Sequence, residues 1–333
     1  VIWDNRIFLS GADADSREIY CFSLIDGTLI WKQNLIIPGT AQSSIEVLDD
    51  TGYAAPSMAV DGRFALAIFA NGDVGCFKFD GTLVWKKNLG VPENMYGYAS
   101  SPFIFKDSVI IQYDNSNASF VSAFSLLTGN LIWTTRRDAN PCWSTPIVFK
   151  QKNEYRLALN GNPFSALYDP VTGKELWRTE CLTNDLAISP AQFNGYFLMS
   201  ASSGEISVFK PEQNECIWKI SESVPDVSTP LVSQNFLCTA APDGTVNFYD
   251  TINGNVLKSH SFDGAFYSSP VMADSKVFLG DKTGKIHVFN TDEQFKLITS
   301  LDMGEPIFAT PAFAKNKMIL RVQKKMYCIG NTN

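Results

Sequence analysis

Val121-Ser-Ala-Phe-Ser-Leu-Leu-Thr-Gly-Asn-Leu-Ile-Trp133 reads as a β-hairpin. Val121, Ala123 and the alternation after them suit a half-buried strand, and Gly129 suits a turn position that needs positive φ. Leu131 and Trp133 then begin the return strand. One hairpin of this size is marginal in water, so what matters is that the stretch recurs.

Aligned on the indole, the copies fall at Trp31, Trp85, Trp133, Trp177 and Trp218, continuing to Lys258 and Ile298, where the tryptophan is lost but the frame survives. Four residues earlier stand Gly27, Gly81, Gly129, Gly173, Asn214, Gly254 and Gln294. Nine residues earlier stand Phe22, Phe124, Tyr168, Phe209, Tyr249 and Phe289, with Phe77 at eight because that turn is one residue shorter. A third column is independent of these: Pro56, Pro102, Pro146, Pro190, Pro230, Pro270 and Pro311, six of which follow Ser or Thr. Their spacings of 46, 44, 44, 40, 40 and 41 match the length of a four-stranded propeller blade.

This predicts an all-β, eight-bladed β-propeller forming one domain over residues 1–333, with seven blades as the alternative. Blade 1 runs from Val1 to about Leu35, and blades 2 to 7 cover roughly 54–90, 98–137, 142–181, 186–221, 226–262 and 266–302. Blade 8 starts at Pro306, ends near 325–330 and lacks a fourth strand. Val1-Ile2-Trp3-Asp4 aligns with Phe103-Ile104-Phe105-Lys106, so residues upstream of Val1 are expected to hold the matching Ser-Pro and to supply the missing strand. The link from Leu35 to Pro56 is about a dozen residues longer than its counterparts, and the second crossing is about five longer.

Composition narrows the function classes. A net charge of -7, a pI near 5.0 and no dense basic window argue against a nucleic-acid partner. Apolar runs are of strand length, so no transmembrane segment is expected. The seven cysteines show no metal-ligand spacing. Cys21, Cys76 and Cys328 share a column with Ala123, Ala166, Val208, Phe248 and Val288 and are read as small core residues.

The repeat of Ser-Ser-Pro, a strand, and an Ala/Cys-Phe-x-x-x-Thr-Gly-x-x-x-Trp hairpin resembles the pyrroloquinoline-quinone (PQQ) repeat of the quinoprotein alcohol dehydrogenase-like propellers across essentially the whole chain. Ser100–Lys106, Tyr267–Asp274 and Phe308–Ala314 are most similar to bacterial exported propellers related to the lipoprotein of the outer-membrane β-barrel assembly machinery. That resemblance implies an extracytoplasmic location, in the periplasm or cell envelope. It also offers two activities, a non-catalytic binding or scaffolding propeller and a PQQ-dependent alcohol or sugar dehydrogenase. Dehydrogenases of the family combine a vicinal disulfide, a calcium ion and an aspartate base. This sequence has no adjacent cysteines, so no cofactor is expected; PQQ with calcium would need a base, for which Asp114 is the candidate.

Residues just before each inner strand are expected at the mouth of the central channel. Tyr53, Tyr98, Trp143, Tyr267 and Phe308, with Tyr96, Phe266 and Ile307, would offer flat apolar faces there, and Arg137 would hold a carboxylate by a two-pronged contact. Other polar candidates are Arg136, Asp138, Asn160, Asn162, Asp281 and Arg321. No catalytic or metal-ligating residue is expected; Asp13 and Asp15 sit in a loop without EF-hand spacing. The only histidines are His260, in an outer strand, and His287, in a column with Ser122, Ser207 and Asn247, and neither is expected to have a catalytic partner. The reading is a monomeric binding propeller that presents its long-loop face to a protein or glycan.

Overall fold

A computed structural model describes residues 1–330 except 41–44, 46, 50, 181–185, 201–203, 214 and 293. Cys181, Asn214 and part of the Leu35–Pro56 link therefore lie outside the described residues. The chain is an eight-bladed β-propeller of antiparallel sheets, four blades in each of two compact units, Val1–Glu180 and Cys181–Asn333. Among the described residues no helix is long and apolar enough to cross a membrane.

In the first unit the blades are β1–β4 (Ile2–Trp3, Arg6–Ala12, Arg17–Ser23, Leu29–Asn34), β5–β8 (Ala59–Val60, Phe64–Ile68, Asp73–Lys78, Leu83–Asn88), β9–β12 (Phe103–Phe105, Ser108–Tyr113, Phe120–Ser125, Leu131–Arg136) and β13–β16 (Ile147–Gln151, Glu154–Leu159, Phe164–Tyr168, Glu175–Glu180). In the second they are β17–β20 (Ala191–Phe193, Tyr196–Ser200, Ile206–Lys210, Glu215–Ile220), β21–β24 (Leu231–Val232, Phe236–Ala240, Thr245–Asp250, Val256–Ser261) and β25–β28 (Val271–Ala273, Lys276–Gly280, Lys285–Asn290, Leu297–Asp302). The last blade has three strands, β29–β31 (Ala312–Ala314, Lys317–Arg321, Met326–Gly330).

Each sheet is a simple meander, and successive blades stack face to face. Middle strands such as β6 and β15 are therefore buried on both sides and read as continuous apolar runs, whereas fourth strands such as β12 alternate between exposed and half-buried. The core lies between blades: Phe64, Leu66 and Ile68 of one sheet meet Val109, Ile111 and Tyr113 of the next, and Phe236, Cys238 and Phe248 meet Val277, Leu279 and Phe289.

Both repeat columns turn out to be contacts between neighbouring blades. Trp31, Trp85, Trp133 and Trp218 each donate the indole N–H to the third-to-fourth strand turn of the following blade, Trp31 to Phe79 O at 2.9 Å, Trp85 to Leu126 O at 2.8 Å, Trp133 to Pro170 O at 3.3 Å and Trp218 to Thr251 O at 3.1 Å. The ring lies against the turn glycine, where no side chain fits: a Cβ on Gly129 would sit 2.7 Å from Trp85, and one on Gly254 would sit 2.9 Å from Trp218. The Ser/Thr before five of the prolines accepts from the preceding blade: Ser57 N to Ser101 Oγ at 2.9 Å, Ser101 N to Thr145 Oγ1 at 3.0 Å, Ser189 N to Thr229 Oγ1 at 3.1 Å, Thr229 N to Ser269 Oγ at 2.9 Å and Ser269 N to Thr310 Oγ1 at 3.0 Å. The repeat thus encodes a stacking interface.

Two expectations change. The register sets Leu167, rather than Ala166, opposite Trp177: the bulge between Leu167 and Tyr168 lies where the other blades have theirs, as between Ala123 and Phe124, so the residue just before the aromatic is the one that belongs to the column. Cys328 is exposed rather than in the core, since its strand β31 forms the outer edge of a three-stranded blade. Cys21 and Cys76 are buried and free, their thiols pushed up by burial to about 11 and about 12.

Candidate functional site

In the first unit, the loops entering β9 and β13 bring two rings together. Tyr96 and Trp143 lie with centroids 5.0 Å apart, and Trp143 Nε1 donates to Gly97 O at 2.9 Å, which fixes the indole while leaving it half-buried. Tyr98 is buried instead, stacked 4.9 Å from Tyr113 with its hydroxyl on Gln112 O at 2.9 Å. Burial drives the phenol pKa of Tyr98 far up, so it stays neutral. Tyr53 is half-buried beside the Arg17 guanidinium, 5.5 Å from its ring.

Arg137 does hold a carboxylate with two contacts, but the carboxylate is the chain's own. Its Nε donates to Asp114 Oδ1 at 2.9 Å and Oδ2 at 3.2 Å, its Nη1 reaches the Tyr168 hydroxyl at 3.0 Å, and both charged side chains are fully enclosed. Burial opposes the Arg137 charge, and Asp114 and Tyr168 outweigh it, so the guanidinium stays ionised. Burial raises the Asp114 pKa, held back by Arg137 and Gln112. The pair locks β10, β12 and β15 together beneath the loops and is sealed from solvent. Asp13 Oδ1 accepts from Asp15 N and from the Ser16 amide and hydroxyl, which shapes its loop.

In the second unit, Tyr267 and Phe308 meet edge to face at 6.1 Å, and the Lys282 ammonium lies 4.0 Å over the first ring and 5.5 Å from the second. Next to Lys282 in sequence stands a group that the strand columns concealed. His287 and Ser300 are cross-strand partners in β27 and β28, with the Ser300 hydroxyl 2.7 Å from His287 Nδ1. His287 Nε2 is 3.0 Å from Asp281 Oδ2, and the other oxygen of Asp281 accepts from the Thr283 amide, the Thr283 hydroxyl and the Lys285 amide.

Burial works to raise the Asp281 carboxyl, but those donors and His287 outweigh it and hold it below the usual range. Burial lowers the His287 pKa against the pull of Asp281, and Lys285 lowers it further. His287 does have polar partners at short range, which its strand column gave no reason to expect: the turn between β26 and β27 folds Asp281 back over the strand, and the register sets Ser300 opposite. A cavity of about 310 Å³ opens on this trio.

The sequence profile of the family described as outer membrane protein assembly factor BamB matches residues 15–149 and 166–293. The chain belongs to this family. The BamB of Yersinia pestis is 25% identical over 290 residues, covering 83% of this chain and 67% of that protein. The crystal structure of BamB from Moraxella catarrhalis superposes with a TM-score of 0.71 at 15% identity, covering 95% of this chain and 93% of that one. A europium-containing methanol dehydrogenase superposes with a TM-score of 0.72 at 12% identity over 98% of this chain and 81% of its own, a likeness of fold alone.

Asp114, the carboxylate considered as base, is enclosed against Arg137, and among the described residues no group of three or more His, Cys, Asp or Glu side chains could hold a metal ion. What this BamB-family chain does present is fixed, half-buried aromatic rings on the loops that enter its inner strands.

Proposed function

We propose that the chain is an extracytoplasmic binding propeller that captures a protein segment on the loops preceding its inner strands, as part of outer-membrane protein assembly. The observation that carries this is the pinned Trp143–Tyr96 pair, seconded by the Lys282–Tyr267–Phe308 cluster. Aromatic rings held rigid but part-exposed lose little freedom when covered, which is why Trp and Tyr dominate binding hot spots. Lys282 adds a cation suited to an acidic side chain beside an apolar one. Family membership supports the setting, since the related proteins are named assembly factors of the outer membrane.

The test is capture of β-barrel assembly proteins from solubilised envelopes on immobilised protein. Trp143→Ala with Tyr267→Ala should reduce that capture at least ~10-fold, about 1.4 kcal/mol or more, with the fold intact by circular dichroism. Unchanged capture by the folded double variant would overturn the proposed face. Saturable thermal stabilisation by micromolar PQQ with calcium would favour the dehydrogenase alternative over the binding propeller.

A further inference from the structure

Ser300, His287 and Asp281 stand in the order nucleophile, base and orienting carboxylate. Asp281 is ionised and accepts only, so the nitrogen facing it, Nε2, carries the ring proton. That leaves the lone pair on Nδ1, which must accept from the Ser300 hydroxyl at 2.7 Å. This is the relation required of a hydrolytic triad, with the two ring nitrogens exchanged relative to the usual arrangement. Burial lowers the His287 pKa and keeps the imidazole neutral, so Nδ1 has a free lone pair, and the Asp281 carboxylate on Nε2 offsets part of the cost of protonating it.

The surroundings separate a protected pair from an open nucleophile. Asp281 and His287 are buried, while Ser300 is exposed on β28. Phe262 lies 4.0 Å from the imidazole ring, and Gly264 passes so close that a Cβ there would meet Asp281 Oδ2 at 2.5 Å. The cavity of about 310 Å³ holds Ser300 together with Phe262, Lys285 and Asp302, which suits a small ligand.

The fold does not require this trio. In the neighbouring blade the same three positions are Ala241, Asn247 and Ser259, and the turn between its second and third strands closes with the same backbone bond, Ala241 N to Thr245 O at 2.9 Å matching Asp281 N to Lys285 O at 2.9 Å. In the third blade the same cross-strand positions hold a hydroxyl pair, Ser122 to Thr134 at 2.7 Å, so the imidazole and the carboxylate are what set the seventh blade apart.

We propose that this cavity is a serine-hydrolase site for a short, uncharged carboxylic ester. Ser300 Oγ attacks the carbonyl carbon while His287 Nδ1 takes its proton. The ester C–O bond breaks, and the leaving alcohol carries that proton away, leaving the acyl group on Ser300 Oγ. A water molecule then attacks the acyl carbon, gives one proton to Nδ1 and releases the acid; that proton returns to Ser300 Oγ. Ester and water become acid and alcohol with no other reactant. Asp281 is a positioning residue, and the Lys285 ammonium, which lines the cavity, opposes the charge of the developing oxyanion.

The test is labelling of the folded full chain with an alkyl fluorophosphonate, followed by intact-mass and peptide mass spectrometry, alongside p-nitrophenyl acetate turnover. The expected result is one adduct per chain on Ser300, absent in Ser300→Ala, whose exposed position spares the fold. Labelling should slow ~100-fold or more in His287→Gln, the contribution of a positioned base. Ser300→Cys should restore acylation by the acetate ester, which a merely structural hydroxyl would not do. No adduct on Ser300 of the folded protein, or equal turnover by wild type and Ser300→Ala, would overturn the proposal.

Discussion

Arg137→Met removes one half of an enclosed ion pair and keeps most of the side-chain volume. The variant strands the Asp114 carboxylate with only Gln112 Nε2, at 2.7 Å, as a donor, and also strips the Tyr168 hydroxyl of its guanidinium contact. Breaking a buried pair in this way costs about 3–5 kcal/mol, a large part of the roughly 5–15 kcal/mol that holds a domain folded. The deficit depends on pH. Burial already sets the Asp114 pKa above its unfolded value of 3.8, and losing Arg137 removes a cause that held it down. The folded state then binds the proton more tightly than the unfolded state, so stability falls as pH rises from 3.8 towards the new folded pKa, by up to about 1.4 kcal/mol per pH unit. Urea unfolding of Arg137→Met should therefore show a gap from wild type that narrows as pH is lowered from 8 to 5. Adding Asp114→Asn, which removes the stranded charge, should recover at least about 2 kcal/mol at neutral pH. A gap under about 1 kcal/mol at pH 7, or one that stays flat across that range, would refute the account of the pair.

Two further outcomes follow from the same contacts. Gly173→Ala places a Cβ 2.3 Å from Trp133 at a φ of +71°, so it combines a left-handed backbone penalty with overpacking and should destabilise by about 2–5 kcal/mol, read as a lower urea midpoint. His287 has a folded pKa below its unfolded 6.5, so its share of stability is complete above pH 6.5 and is lost as pH falls through that window. Asp281 contributes fully above 3.8 and loses its share below that value. Urea midpoints of wild type should accordingly drop between pH 6.5 and 5 relative to His287→Gln, and parallel curves would contradict the assignment.

The fold was legible because the same pairwise contact between a tryptophan and the next blade's turn glycine recurs four times among the described residues. Trp31, Gly81 and their successors sit in fixed columns because each indole fills the space left by the next blade's missing Cβ. The site was harder to read, because its rings fall in two adjacent columns that differ by one residue. Tyr98, four residues before Pro102, turns inward to Gln112 O and shares its column with the buried Phe266 and Ile307, whereas Trp143, three before Pro146, turns outward beside Tyr96 and shares its column with the half-buried Tyr267 and Phe308. Arg137 looked like a loop cation because its partner Asp114 is 23 residues away, beyond any local pattern. His287 looked like an ordinary strand residue because its neighbours in that column are Ser and Asn; only the register to Ser300 and the fold-back of Asp281 reveal the trio.

The departures from the repeat are themselves informative. Lys258 replaces the tryptophan of the sixth blade, and Gln294 replaces the glycine of the seventh, the two halves of one contact changing together. In their place His260 Nε2 donates to Phe295 O at 2.8 Å, and Phe295 stacks on Phe248 at 4.5 Å, so a histidine two residues along the strand takes over the link to the next turn. The same pair of blades carries the cavity, lined from Ser261–Gly264 on one side and from Asp281, His287 and Ser300 on the other. The junction at which both halves of the contact change together is also the one where a nucleophile, a base and a carboxylate meet, a departure from the repeat where chemistry can use it. Restoring the rule tests that coupling. Lys258→Trp with Gln294→Gly should raise the urea midpoint or leave it unchanged, since it rebuilds the contact seen at Trp218 and Gly254. Ser300 labelling should fall in the same variant if His260 and Phe295 set the walls of the cavity, and unchanged labelling would show that the lost tryptophan and the trio are independent.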